Sequence, residues 1–176
     1  MSIYFDNASS VLYSNDLLKN MLEDNNNYSN PHSLSNESQL TSNKIELVRE
    51  KVLTYLNTSS ENYDCIFTSG TTDSLKKFGE YFCWNDNTNF IYTIDNHTSV
   101  VGIREYALSK GSNVTIVDIE DENIVELNTW FRMENKGKVE DNTKINVFAM
   151  PYESNFSGKI YKKEYINLIK KKYGEN

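Results

Sequence analysis

The chain has 176 residues and a formal net charge of −7, from 18 basic and 25 acidic side chains. That balance argues against a nucleic-acid surface and leaves no polybasic patch for a membrane. No stretch approaches the ~20 apolar residues of a membrane span, and Met1-Ser2-Ile3-Tyr4-Phe5-Asp6 lacks both parts of a signal peptide, so the expected location is the cytoplasm.

Ile3-Tyr4-Phe5 reads as strand-like, followed by a short helix that opens at Ser14 and covers Asp16 to Leu22. A polar loop runs from Glu23 to Ser38. Ile45, Val48, Val52 and Leu56 then recur at helical spacing and predict a long helix from about Ser42. Tyr63 to Phe67 is expected as a strand and Thr72 to Phe82 as a helix. Phe90 to Ile94 and Ser99 to Lys110 form the next such pair, with Gly111 in the position that stops a helix. Val114 to Ile119 and Lys144 to Met150 are strands, and Lys162 to Lys172 closes the chain as a helix. Between them, residues 120–143 look like a surface excursion with one amphipathic turn (Ile124, Leu127, Trp130, Phe131). Strands alternating with helices predict an α/β fold of three layers, a mostly parallel sheet with helices on both faces.

Three polar loops each leave an apolar strand, which is where such a sheet presents side chains to a ligand. They are Thr68-Ser69-Gly70-Thr71-Thr72, the loop holding Asn96-His97-Thr98-Ser99, and Pro151 to Gly158. If they converge, they form one buried crevice. Gly70 lets backbone approach an anion, and the free amides at the following helix start can bind phosphate together with the hydroxyls of Thr71 and Thr72. The plainer reading is that Thr71 or Thr72 caps the helix. The lysine and spacing of a P-loop are absent. His97 sits before a helix that Ser99 would cap; alone it could be an ordinary loop histidine. The Asn155 amide offers a donor and an acceptor suited to a phenolate or carboxylate oxygen, or it could simply order an Asx-turn. Two histidines and two cysteines without ligand spacing do not make a zinc site. Cys65 and Cys83 each have apolar neighbours in sequence and read as structural.

Five segments occur in a characteristic order: Tyr4-Phe5-Asp6-Asn7-Ala8-Ser9, Asn30-Pro31-His32-Ser33, Ile66 to Thr72, Asn96 to Ala107, and Glu153-Ser154-Asn155-Phe156-Ser157-Gly158. Together they resemble the class V aminotransferase family of fold-type I pyridoxal-phosphate enzymes. The last two runs point to its molybdenum cofactor sulfurase branch rather than to the cysteine desulfurases of iron–sulfur assembly. The resemblance implies that Gly70, Thr71 and Thr72 form the cofactor's phosphate cup, with Thr71 contributing mainly its amide. It implies that His97 stacks on the pyridine ring and assists proton transfer. It implies that Asn155 meets the cofactor's 3′ oxygen and the substrate carboxylate.

The family also has an aspartate beyond the asparagine loop that pairs with the pyridine nitrogen, and a lysine beside a histidine that forms the Schiff base. Neither His32 nor His97 has a lysine next to it, and neither cysteine matches the family's sulfur acceptor. The resemblance therefore implies that residues 1–176 are the N-terminal part of a pyridoxal-phosphate-binding domain, with residues 1–40 an arm and loop. Such a part would hold the cofactor non-covalently, be inactive alone, and leave a sheet edge exposed. The parent activity implied is sulfur transfer from L-cysteine to the molybdenum cofactor, and a homodimer is compatible with it. The alternatives are a non-catalytic remnant that binds a partner or anion, and a fragment of a cysteine or selenocysteine lyase.

Overall fold

Residues 3–7, 10–25, 28–120, 123–130 and 145–174 are described in the computed structural model. The chain divides into two units, residues 1–67 and 68–176, each with its own internal packing.

In the first unit, α1 (Asn15–Asn25) starts where the Leu17 amide donates to Ser14 Oγ at 3.1 Å, the cap expected of that serine. The long helix α2 (Asn36–Tyr55) begins six residues before the predicted Ser42. Ser35 is its N-cap, accepting from the Ser38 amide at 3.2 Å. Apart from the exposed Leu40 the first two turns are polar, so the buried apolar period starts only after the helix has begun. Two of those polar residues, Ser38 and Thr41, are buried and hydrogen-bonded: Thr41 Oγ1 donates to the Glu37 carbonyl and accepts from the Ser29 amide.

Two strand expectations fail in this unit. Ile3–Phe5 and Tyr63–Phe67 carry no ladder, and Ile66 is 76% exposed. Their composition suits a strand, but a strand exists only through a hydrogen-bonded neighbour, and none is present among the described residues. Arg49 holds the second segment instead. Its Nε donates to the Cys65 carbonyl at 3.1 Å, and its guanidinium lies 5.6 Å from the centre of the Phe67 ring.

The second unit holds a four-stranded sheet in the order β3-β2-β1-β4. Its strands are β1 (Thr88–Thr93), β2 (Asn113–Glu120), β3 (Asn123–Trp130) and β4 (Ile145–Ala149). β1 pairs in parallel with β2 and with β4, while β3 runs antiparallel to β2. Helices α3 (Thr71–Tyr81), α4 (Thr98–Val101), α5 (Ile103–Ser109) and α6 (Tyr165–Tyr173) complete the unit. The expected helix from Ser99 to Lys110 is thus divided at Gly102.

Period-two alternation sends the sheet's side chains into two cores. Phe90, Tyr92 and Val114 pack with Ile103, Ala107 and Trp84 under α3 and α5. Ile119, Tyr161 and Tyr165 pack with Phe148, Leu168 and Ile169 under α6. Both faces of the sheet are therefore covered, as the α/β reading requires. Trp84 closes the end of α3 by donating Nε1–H to the Gly79 carbonyl at 2.8 Å. Gly79 is required by packing: a Cβ there would stand 2.6 Å from Cδ2 of Tyr106 on α5.

The amphipathic turn expected around Ile124 is instead strand β3. Alternate residues differ: Ile124 joins the core under α6, while Val125 and Leu127 are exposed. The ladder shifts between Ile116 and Val117, whose partners are Asn128 and Glu126, so Leu127 is the extra residue of a bulge. Phe131 and the rest of the expected excursion to residue 143 lie outside the described residues, as do residues 121 and 122.

These packing differences set expected stabilities. Phe90→Ala removes a fully buried ring and should cost about 3–5 kcal/mol. Ile66→Ala should cost less than about 1 kcal/mol, as for an exposed side chain. Urea unfolding followed by circular dichroism measures both; a loss above about 2 kcal/mol for Ile66→Ala would show that its segment is buried as a strand after all.

Candidate functional site

β1, β2 and β4 are parallel, so their carboxyl ends lie at one edge of the sheet. The β1 and β4 loops leave from that edge, and α3 starts from a loop tied to the β1 loop. Thr72 Oγ1 and Ser99 Oγ are 2.8 Å apart, which links the starts of α3 and α4. The Asn96 side-chain amide donates to the Ala149 carbonyl at 2.9 Å and to Thr93 Oγ1 at 3.1 Å, which links the ends of β1 and β4. The three loops singled out in the sequence are therefore joined by hydrogen bonds.

The α3 loop has an open, uncapped helix start. Its N-cap is Gly70, at φ +150°, a conformation that favours glycine, and no side chain caps the helix. The expectation that Thr71 or Thr72 caps α3 is thereby replaced, because both lie inside its first turn. A Cβ placed on Gly70 would meet nothing within 4 Å, so the space above the loop is open. The amides of Thr71 and Thr72 have no hydrogen-bond partner among the described residues, as expected at a helix start. Asp73 accepts from the Ser69 amide at 3.2 Å, which holds its carboxyl below the usual value. Lys77 lies 3.3 Å from the same carboxylate and offsets its charge beside the helix start.

His97 is itself the N-cap of α4, where Ser99 was expected. Its Nδ1 accepts from the Ser99 amide at 3.2 Å. An acceptor at Nδ1 places the proton of the neutral ring on Nε2. Both His97 and Asn155 are exposed, not enclosed in the buried crevice that convergence suggested. The Asn155 side chain makes no hydrogen bond among the described residues, so the Asx-turn reading does not describe it. Gly158, at φ +71°, turns the loop back, and the Tyr161 amide donates to the Tyr152 carbonyl at 2.9 Å.

The residue that sequence reasoning missed is Asp95. Tyr161 donates its hydroxyl to Asp95 Oδ1 at 2.6 Å. Burial raises the Asp95 carboxyl, but hydrogen bonds led by Tyr161 outweigh it together and leave the group below its ordinary value. Burial first, and then the Asp95 carboxylate, pushes the Tyr161 hydroxyl up. Near neutrality the pair is therefore a phenol donating to a carboxylate. A charged residue ending an otherwise apolar strand was the available signal for Asp95; nothing in the sequence marks Tyr161 as its partner.

Elsewhere, the His32 amide donates to Asn30 Oδ1 at 3.0 Å, an Asx-turn in the first unit. Cys65 is half-buried, whereas Cys83 is exposed and does not have the apolar setting expected of it. Among the described residues no group of three or more His, Cys, Asp or Glu could hold a metal. None of their helices is long and apolar enough to cross a membrane.

Comparison with known proteins fits this architecture. The aminotransferase class-V family matches residues 3–175. The chain is similar to molybdenum cofactor sulfurases: 40% identical to that of Solanum lycopersicum, 39% to that of Arabidopsis thaliana and 33% to that of Homo sapiens. Each comparison covers 96% of this chain but only 23%, 23% and 19% of the relative, so the chain spans less than a quarter of the length of these proteins. No solved structure matches it. The family's cofactor is pyridoxal phosphate. An open glycine cradle, free helix-start amides, an exposed imidazole and an exposed amide are residue types that fit that group. With its sheet, its three joined loops and a match along almost its whole length, the chain belongs to the class-V aminotransferase family.

Proposed function

We propose that the loops of the second unit bind pyridoxal phosphate, and that the parent activity is sulfur transfer from L-cysteine to the molybdenum cofactor. The observation that carries the first part is the pair of helix starts joined by Thr72 and Ser99: an open phosphate cradle is tied to the turn that bears His97. The sulfurase relatives support the second part.

In this reading the amides of Thr71 and Thr72 and the Thr72 hydroxyl hold the phosphate, which the positive end of α3 also favours. The Thr72 hydroxyl has one proton and two lone pairs, so the Ser99 bond still leaves it capacity for an anion. His97 offers an exposed ring face for stacking. Because Nδ1 is taken by the Ser99 amide, proton movement is left to Nε2. Asn155 donates its amide to the ring oxygen or to the substrate carboxylate. When bound, the cofactor supplies an electron sink for bond breaking at the α-carbon of an amino acid.

Within these 176 residues the cofactor is held without a covalent bond. The lysine nearest Asn155 in sequence, Lys159, is engaged: its Nζ donates to the Ile119 carbonyl and to Asp118 Oδ1, at 2.5 and 3.3 Å, and lies 4.9 Å from the Tyr161 ring centre. The parent activity then requires parts of the longer relatives. A protein with the relatives' full length, given a thiol reductant to reduce the persulfide it forms, should release sulfide from L-cysteine with alanine and activate a molybdenum hydroxylase; release without activation would favour a cysteine or selenocysteine lyase.

The cup assignment is read by titrating pyridoxal phosphate into the chain and following absorbance. Thr72→Ala should weaken binding by ~1–3 kcal/mol, since the hydroxyl bonds a charged oxygen. Thr71→Ala should change it by less than about 0.5 kcal/mol, because the amide remains. Equal losses from the two changes would refute the assignment.

Reversibility is a separate expectation. Gel filtration should strip the cofactor from the chain, and borohydride treatment should leave no pyridoxyl group on a specific site-facing lysine. A stoichiometric adduct on one lysine, found by peptide mass spectrometry, would overturn the non-covalent reading.

A further inference from the structure

Asn155 makes no side-chain hydrogen bond among the described residues, yet the chain on both sides of it is fixed by one other residue. Ser154 Oγ donates to the Asp95 carbonyl at 3.1 Å, and Ser157 Oγ donates to Asp95 Oδ2 at 3.3 Å. The other carboxylate oxygen accepts from Tyr161 at 2.6 Å. Ser154 Oγ also accepts from the amides of Phe156 and Ser157, each at 3.3 Å, which folds the loop tightly around Asn155. Ser154 and Tyr161 are each 1% exposed, so their bonds are shielded from competing water, whereas the Ser157 bond to Asp95 is exposed.

Asp95 stands two residues before His97 on the β1 loop. Its backbone and both carboxylate oxygens are thus used to hold the β4 loop against the turn that carries the imidazole. We propose that Asp95, with Tyr161 as its buttress, is a positioning residue that fixes Asn155 relative to His97. This role rests on the reading above, in which Asn155 meets the cofactor's ring oxygen. Asp95 acts through Asn155, because both carboxylate oxygens are already engaged. An ionised carboxylate suits the place: it only accepts, and the Tyr161 and Ser157 hydroxyls donate to it. An asparagine keeps one acceptor for Tyr161 and can turn its amide toward Ser157, so it is the conservative replacement. Alanine leaves a buried phenol without its acceptor.

The test uses the 176-residue chain and two independent readouts. Amide hydrogen exchange by NMR follows the loop without any cofactor. Titration with pyridoxal phosphate, with its analogue lacking the ring hydroxyl and with inorganic phosphate follows the site. Asp95→Ala should speed exchange of the Phe156 and Ser157 amides about tenfold or more while leaving Phe90 to Tyr92 protected. It should weaken pyridoxal phosphate about 10- to 100-fold, as Asn155→Ala does, and the double variant should be no weaker than either single change. Preference for the cofactor over its analogue should disappear, the affinity for inorganic phosphate should hold, and Asp95→Asn should restore most of the loss.

Unchanged loop exchange in Asp95→Ala overturns the proposal. So does a loosened loop with unchanged cofactor affinity and preference, or a loss of phosphate affinity and β1 protection together, which would mark general destabilisation. If the loop responds as expected but the unaltered chain binds no pyridoxal phosphate, the cofactor reading fails and the role of Asp95 reduces to a structural clamp.

Discussion

Burial of β1 on both faces is the constraint from which the second unit follows. Phe90 and Tyr92 point to one side of the strand and Ile91 and Thr93 to the other, and all four are at most 2% exposed. A strand with two apolar faces needs a neighbour on each edge and a layer on each side. β2 and β4 provide the edges, while α3 and α5 cover one face and α6 the other. Because β2 runs parallel to β1, the chain returns over the sheet through α4 and α5 between them, whereas after β2 it returns within the sheet as antiparallel β3. Polar loops therefore collect at one edge, where their backbone groups can find partners that the apolar cores cannot offer.

Those loops use hydroxyls and amides in place of apolar contact. Thr88 Oγ1 and Ser112 Oγ form a buried pair at the amino end of β1, and Ser112 also donates to the Asn85 carbonyl at 2.9 Å. At the carboxyl end, Asn96, Ser154 and Tyr161 fill the same role. No described buried side-chain nitrogen or oxygen lacks a partner. Polar groups satisfied in this way cost little to bury and fix geometry more narrowly than packing does. His97 and Asn155 thus stand exposed on a base that is itself fully bonded.

Periodicity was most legible where apolar residues repeat under a buried face: α2, α3, α5, β1, β2 and β4 were all readable from it, and the α/β class followed. It misled where local composition and pairing disagree. Tyr63 to Phe67 has the composition of a strand without a neighbour. Residues 123–130 have no clean period, yet the open edge of β2 draws them into a strand with a bulge at Leu127. The start of α2 was hidden because Ser35 and Ser38 look like loop residues until their capping bond is seen. At the site, residue types pointed to Gly70, Thr72, His97 and Asn155. The bonds that join them depend on tertiary approach: Asp95 and Tyr161 are 66 residues apart in the chain and 2.6 Å apart in space.

Gly102 divides what the sequence presents as one helix. It is the C-cap of α4 and the N-cap of α5 at once, with φ −61° and ψ −22°. Beyond it, Ile103 and Ala107 are locked into the core; before it, α4 has no buried residue. The imidazole is therefore mounted on a short turn of its own, held by the Val100 and Val101 amides on the His97 carbonyl and by the Ser99 bonds. Val100 and Val101 of that turn pack against the core, so tilting it would disturb the apolar layer as well as a few exposed hydrogen bonds. The angle of the imidazole is therefore set by the same apolar layer that holds α5, not by the loop alone.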